Sequence, residues 1–220
     1  MVTIYDIAAK AGVSAMTVSR VINNTGKISD KTRNKVRRVM EELNYVPNHM
    51  ARSLVLQQSN VLFLLITDIT NPFYTTVARG AEDAARKHGY RLLFGNSDES
   101  VEKEKDYIDT ILATRADGVL VAPTGDLSLP HLETLRRHRV PFVLLDREVP
   151  GMDSDVVLGD SKEGARKLVD HLTSCGHRRI ALINGSPLIS SARLRLEGYR
   201  EALKLNDIPF DQNYVLETAF

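Results

Sequence analysis

The chain has 220 residues, 43% of them hydrophobic and 26% charged, proportions that fit one to three compact globular units and exclude a disordered chain. Its apolar runs, such as 61–66 and 140–145, fall well short of the ~20 residues a membrane helix needs. The first fifteen residues hold no signal-peptide core, and the single Cys175 excludes an internal disulfide and a thiol-based zinc site, so a cytoplasmic protein with no membrane partner is expected. The net charge of +1 hides a division: residues 1–59 carry nine Lys and Arg against four Asp and Glu, and the remainder twenty against twenty-four. A small basic unit suited to a polyanion therefore precedes a mildly acidic body.

The first 45 residues read as three short helices. Thr3 and Asp6 form a capping-box pattern ahead of Ile4, Ile7, Ala8 and Ala11 at helical spacing, and Gly12 ends the first helix. Ser14 caps a second helix whose Val18, Val21 and Ile22 share one face, which leaves Ala15, Met16, Thr17, Ser19, Arg20 and Asn23 pointing elsewhere. Ser29 caps a third helix that buries Val36, Val39, Met40 and Leu43 and ends at Asn44–Pro47. The short turn at Ala11-Gly12-Val13-Ser14 sets two helices across each other with the second exposed, the geometry of a helix-turn-helix; a plain three-helix bundle with a solvated basic face is the alternative. Next, Asn48 caps His49–Leu54, fewer than two helical turns and too short to hold as a helix by itself. Read from its residues alone, this stretch is a linker with one leucine tucked against the body.

From Val61 the pattern becomes β/α alternation. Strand-type runs fall at Val61–Thr67, Arg91–Asn96, Gly118–Ala122, Pro141–Asp146, Asp155–Gly159 and Arg179–Asn184. Phe73, Val77, Gly80, Ala81, Ala84 and His88 are expected to line the inner face of the first intervening helix, closed by Gly89. The fold class is α/β, a doubly wound parallel sheet behind a three-helix domain. A unit beginning at Ser161 holds only about two strands, too few for a parallel sheet covered on both faces. An incomplete second subdomain in a piece of a longer protein is the expectation.

Ligands of open α/β sheets bind beyond the carboxyl ends of the strands. Those ends are polar here: Asp68 with Asn71–Tyr74, Asn96–Asp98, Pro123–Gly125, Asp146-Arg147, Asp160 and Ser186–Arg195. Aromatic rings at Phe73 and Tyr74, an acceptor at Asp146 and a fork of donors at Arg195 sketch a cleft for a small hydrophilic molecule. Core packing is the alternative for Phe73 and helix capping for Ser191, and Arg193 reads as a solvated neighbour. Of the histidines, only His171 has a ligand-type partner at i, i+4, in Cys175, and no Gly-rich phosphate loop or Gly-x-Ser-x-Gly elbow follows any strand. No catalytic residue, metal or cofactor is expected.

The residues Val2-Thr-Ile-Tyr-Asp-Ile-Ala8, Ala11-Gly-Val-Ser14, Thr17-Val-Ser-Arg-Val-Ile-Asn23 and Leu43-Asn-Tyr-Val-Pro-Asn48 resemble the lactose-repressor/galactose-repressor family of bacterial transcription regulators. The resemblance continues through Asn71-Pro-Phe-Tyr74, Asp117-Gly118, Gly176-His-Arg-Arg-Ile180 and Arg195-Leu-Glu-Gly-Tyr199, and so covers essentially the whole chain. It implies base reading by Ala15, Met16 and Arg20. Of these, only Arg20 can fork onto a guanine, while the other two offer apolar contact. Ser14, Thr17, Ser19 and Asn23, joined by Tyr5, carry short donors suited to phosphates. The resemblance turns 47–59 into a hinge, with Asn48, Ala51 and Leu54 at the minor groove and Leu54 as a wedge between base pairs. It places an effector pocket on Phe73, Tyr74, Asp146, Ser191 and Arg195 of a periplasmic-binding-protein-like body.

The expected organisation is a DNA-binding domain at 1–46, the hinge at 47–59, an effector-binding subdomain at 60–160 and a partial second subdomain at 161–220. The expected function is that of a homodimeric repressor on a double-stranded DNA operator, controlled by a small effector, a sugar or sugar derivative before a purine-type corepressor. A solute-binding transport protein and an α/β enzyme are the rivals; the missing export signal and the missing catalytic constellation argue against them.

Overall fold

The structure, a computed structural model, describes residues 2–46 and 58–218, and the chain divides into two compact units, 1–59 and 60–220. The first unit is three helices, α1 (Ile4–Ala11), α2 (Ala15–Asn23) and α3 (Asp30–Glu42). Each start is capped as the sequence predicts. Thr3 and Asp6 close a reciprocal box on α1, Ser14 accepts from the Thr17 amide, and Ser29 accepts from the Thr32 amide. Gly12 ends α1 in the left-handed conformation (φ +60°), which lets the chain turn at once into α2. Ile7, Ala8, Ala11, Val18, Val21, Val36 and Val39 form the buried core, with Met40 and Leu43 packed at its edge. The hinge residues Asn48, Ala51 and Leu54 lie outside the described residues.

The second unit alternates β1 (Val61–Ile66), α4 (Pro72–Lys87), β2 (Arg91–Asn96), α5 (Val101–Thr114), β3 (Gly118–Val121), α6 (Leu129–Arg137), β4 (Phe142–Leu145) and β5 (Val156–Val157). The strands are parallel in the order β2-β1-β3-β4-β5, so the strand order reverses beside β1 and leaves a crevice at the carboxyl ends. The unbroken apolar run of β1 serves both faces of the sheet. Phe63 and Leu65 join the core under α5 and α6, whereas Leu64 and Ile66 join the one under α4.

One expectation is corrected on α4. Tyr74, Ala78, Ala81 and Ala85 face the sheet, Val77 is half-buried, and Phe73, Gly80, Ala84 and His88 are exposed. Two stripes one residue apart share the helical period. The Tyr74 ring, buried with its hydroxyl bonded to Asp146 (3.1 Å), selects between them.

The chain continues through α7 (Ser161–Ser174), β6 (Leu182–Asn184), α8 (Ser190–Leu205) and β7 (Val215–Glu217), with β6 and β7 paired in parallel. β6 is shorter than the predicted 179–184. Helices α7 and α8 cross closely over Val169, Ile180, Tyr199, Ala202, Leu203 and Val215. The opposite face of this two-stranded sheet is bare, with the register partners Ile183 and Leu216 70% and 56% exposed. The second subdomain is thus incomplete, as its strand count implies. Among the described residues no helix is long and apolar enough to cross a membrane.

Candidate functional site

On the first unit the exposed edge of α2 carries the base-reading candidates. Met16 and Arg20 point into solvent, and Tyr5 on α1 is 71% exposed. Gly26, at φ +71°, brings its turn against the stem of Arg20, where a Cβ would stand 3.4 Å from Arg20 Cδ. Ala15 departs from the face argument: it is half-buried and packs against the core, because the first residue of α2 still lies over the turn from α1. Among the phosphate candidates, the Ser14 and Thr17 hydroxyls are 2.9 Å apart, and Asn23 Nδ2 donates to Ser19 Oγ at 3.3 Å. Asn23 Oδ1 is buried without a partner among the described residues.

On the second unit the five candidates Phe73, Tyr74, Asp146, Ser191 and Arg195 line one cleft of about 620 Å³, together with Thr67, Asp68, Asn71, Asp98, Glu99, Arg147, Asp160 and Ile189. The cleft opens at the carboxyl ends of β1, β2 and β4 and is closed on the other side by the start of α8. Phe73, 48% exposed, meets Tyr74 edge-on (5.0 Å between ring centres, 75° between planes) and offers its free face to the cleft. Burial pushes the Tyr74 phenol up to about 12, against the opposing pull of the Arg147 guanidinium, so the group stays neutral and donates to Asp146 Oδ2. The buried Thr67 hydroxyl lies near enough to the phenol to lower its pKa slightly, but it makes no hydrogen bond of good geometry.

Three residues of the rim, Asp98, Glu99 and Asp146, hold left-handed backbone at φ +50°, +56° and +65°. The conformation costs on the order of 1 kcal/mol for a residue such as Glu99. It survives because Arg147 ties the strand ends together. Arg147 donates from Nη1 and Nη2 to Glu99 (2.9 and 2.7 Å) and from Nη1 to the carbonyls of Pro123 and Thr124 (3.1 and 3.0 Å). Its Nε is buried with no hydrogen bond and lies 3.7 Å from Asp146 Oδ2.

Behind Thr124 stands a second buried group, Glu104, whose carboxylate accepts from Thr124 N (2.8 Å), Thr124 Oγ1 (2.9 Å) and Ser128 Oγ (2.8 Å) and pairs with His131 Nδ1 (2.6 Å). Sequence reasoning placed Arg147 at a polar strand end without giving it a role, and missed Glu99 and Glu104. The available signal was a charged pair, Asp146-Arg147, just past an apolar strand, and for Glu104 its place on the helical stripe of Val101, Tyr107, Ile108 and Ile111. Arg193 is also corrected. It is not a solvated neighbour but is paired with Asp126 at 2.8 Å, because the start of α8 lies beside the turn that follows β3. Among the described residues no group of three or more His, Cys, Asp or Glu is placed to hold a metal.

A helix-turn-helix unit and an open parallel α/β body with a polar cleft at its strand ends define a two-part class of protein. Residues 3–48 match the family described as bacterial regulatory proteins, lacI family, and residues 59–219 match the periplasmic binding proteins and sugar binding domain of LacI family. The chain belongs to the LacI family. It is 37% identical over 220 residues to the HTH-type transcriptional regulator DegA of Bacillus subtilis, covering 99% of this chain and 65% of that one. It is 40% identical over 219 residues to the ribose operon repressor of the same organism, covering 100% and 64%. Among solved structures it resembles the lac repressor dimer bound to operator and the anti-inducer ONPF, with a TM-score of 0.82, 32% identity, and coverage of 99% of this chain and 66% of that one. The chain thus spans about 65% of the length of the DegA relative.

Proposed function

We propose that this chain acts in a transcription repressor that binds double-stranded operator DNA through α2 and has its operator affinity set by a small hydrophilic effector in the cleft of the second unit. The observation that carries the reading is the pairing, in one LacI-family chain, of a capped helix-turn-helix exposing Met16 and Arg20 with a polar cleft containing Phe73, Tyr74, Asp146, Ser191 and Arg195. The named relatives, a ribose operon repressor and a lac repressor bound to operator and anti-inducer, support it.

Base reading falls to Arg20 with apolar contacts from Met16 and Ala15, and Tyr5, Ser14, Thr17, Ser19 and Asn23 address phosphates. Residues 47–59 serve as the hinge, with Asn48, Ala51 and Leu54 at the minor groove, between a DNA-binding domain at 1–46 and subdomains at 60–160 and 161–220. Two half-sites call for a homodimer, and Leu93 and Phe94, exposed on the edge strand β2, suit a self-contact. The protein is a cytoplasmic regulator without catalytic chemistry.

The test is operator binding by fluorescence anisotropy, with a duplex selected from a random pool. Affinity should fall steeply with salt, and Arg20→Ala should flatten the preference between selected and scrambled duplexes by about tenfold or more. Salt-independent binding, or an unchanged preference in the variant, refutes the reading.

A further inference from the structure

We infer that the second unit has a separate binding site for a neutral aromatic molecule of one or two rings, in an apolar pocket of about 220 Å³ beside the cleft. The inference goes beyond the effector reading and does not depend on it. Four connections meet at this pocket. They are the start of α5 at Val101, the turn 124–127 after β3, the stretch before α8 with Ser186, Leu188 and Ile189, and Thr218 after β7. Glu99 and Ile189 line both the pocket and the cleft, so these two side chains, with Arg147 holding Glu99, form the partition between them.

The wall offers hydrocarbon and no free charge. Ile189 is buried and Val101 half-buried, whereas Leu127 and Leu188 are 58% and 49% exposed and so keep apolar surface that a ligand can remove from water. Both carboxylates of the wall are answered within the protein, Glu99 by Arg147 (2.7 and 2.9 Å) and Asp126 by Arg193 (2.8 and 3.2 Å). The remaining polar groups are engaged too. The Thr124 amide and hydroxyl both donate to Glu104, and the Asp126 amide donates to the Leu188 carbonyl. The Ser186 hydroxyl accepts from the Leu188 amide, and the Thr218 amide donates to the Asn184 carbonyl. A charged ligand would give up its hydration here and meet no ion partner in return, whereas a neutral ring loses little and covers the two leucines.

Size sets the other limit. An apolar cavity of about 150 Å³ holds benzene, so the pocket has room for toluene or indole. The cleft on the far side of the partition is lined by Asp68, Asp146, Asp160 and Arg195, and the two chambers therefore differ in chemistry. A molecule in the pocket touches the 124–127 turn on one side and Leu188 and Ile189 on the other. These are the two sides of the contact that fastens α8 to the five-stranded sheet, through Asp126 and Arg193 and through the Asp126 amide and the Leu188 carbonyl.

The test is methyl-detected NMR of the 220-residue chain, titrated with toluene, indole, benzoate and benzylammonium. Toluene or indole should shift the methyl resonances of Val101, Leu127, Leu188 and Ile189 with a Kd of about 1 mM or below. The two ions should bind at least about tenfold more weakly. Leu127→Ser and Leu188→Ser, both at exposed positions, should each weaken the neutral probe by about threefold or more. The inference is overturned by shifts centred on the rings of Phe73 and Tyr74, by an ion that binds as tightly as toluene, by unchanged affinity in both Ser variants, or by no binding of either neutral probe. Phe220, two residues past Thr218, supplies a control from the chain itself. If the neutral probes bind only after Phe220→Ala, the pocket serves the chain's own ring and the inference fails. None of these outcomes bears on the operator or effector readings.

Discussion

Arg193 on α8 grips Asp126, in the turn after β3, with two nitrogens: Nη1 to Oδ2 at 2.8 Å and Nη2 to Oδ1 at 3.2 Å. Beside this pair the Asp126 amide donates to the Leu188 carbonyl (3.0 Å), and a Cβ on Gly125 would stand 2.9 Å from that same oxygen. The contact fastens the start of α8 to the carboxyl end of the five-stranded sheet. Because both partners are about one-third exposed, the pair contributes about 1 kcal/mol. A double-mutant thermal cycle with Arg193→Ala and Asp126→Ala should return a coupling of about that size, and a coupling of zero would mean that the pair holds nothing.

Glu104 is the most heavily engaged side chain behind the cleft, 1% exposed with four partners. Glu104→Ala leaves the Thr124 amide, the Ser128 hydroxyl and His131 without their acceptor and should cost about 3 kcal/mol. Glu104→Gln is expected to lose less, since its oxygen can replace Oε2 as acceptor for Thr124 and Ser128 while its amide nitrogen donates to an unprotonated His131 Nδ1. Urea midpoints of the two variants decide this, and an Ala variant as stable as the parent contradicts the assigned network.

Tyr74 gives the second unit an alkaline limit. Its phenol titrates at about 12 in the folded chain against an ordinary 10.0, chiefly because it is buried. The folded state therefore keeps a proton that the unfolded state loses. The stabilisation is complete below about pH 10, falls as pH rises toward about 12, and amounts to on the order of 2 kcal/mol. Tyr74→Phe should be less sensitive to pH in that window, by comparison of melting curves; parallel profiles for parent and variant would exclude the assignment.

Gly198 sits inside α8 where a Cβ would come 2.0 Å from the Lys162 carbonyl oxygen on α7. Alanine is the better helix former, by about 1 kcal/mol. Here it should nonetheless destabilise by roughly 3 kcal/mol, since backbone rather than a side-chain tip must move. A chemical-denaturation midpoint that rises in Gly198→Ala would show that the two helices separate more easily than this packing allows.

Much of the local architecture is legible in the sequence. The caps at Thr3, Ser14 and Ser29 and the stop at Gly12 are interactions between residues one to four positions apart, so the pattern contains both partners. The parallel sheet is legible as well, because a strand buried on both faces must be apolar throughout, as Val61–Ile66 is.

What the sequence by itself determined, then, is element type, helix limits, fold class and the polar ends of the strands. These follow from short-range hydrogen bonding and from the periodicity of burial. Tertiary structure alone decided which of two adjacent stripes of α4 turned inward, because both satisfy the same period until Tyr74 meets Asp146, 72 residues away. It alone decided that Arg147 answers Glu99 while Arg195 is left facing the cleft, two arginines alike in sequence and distinguished by what folding brings beside them. It decided likewise that Gly198, a weak point for an isolated helix, is where α7 and α8 meet. A side chain's partners at long range depend on packing in three dimensions, which no local pattern records.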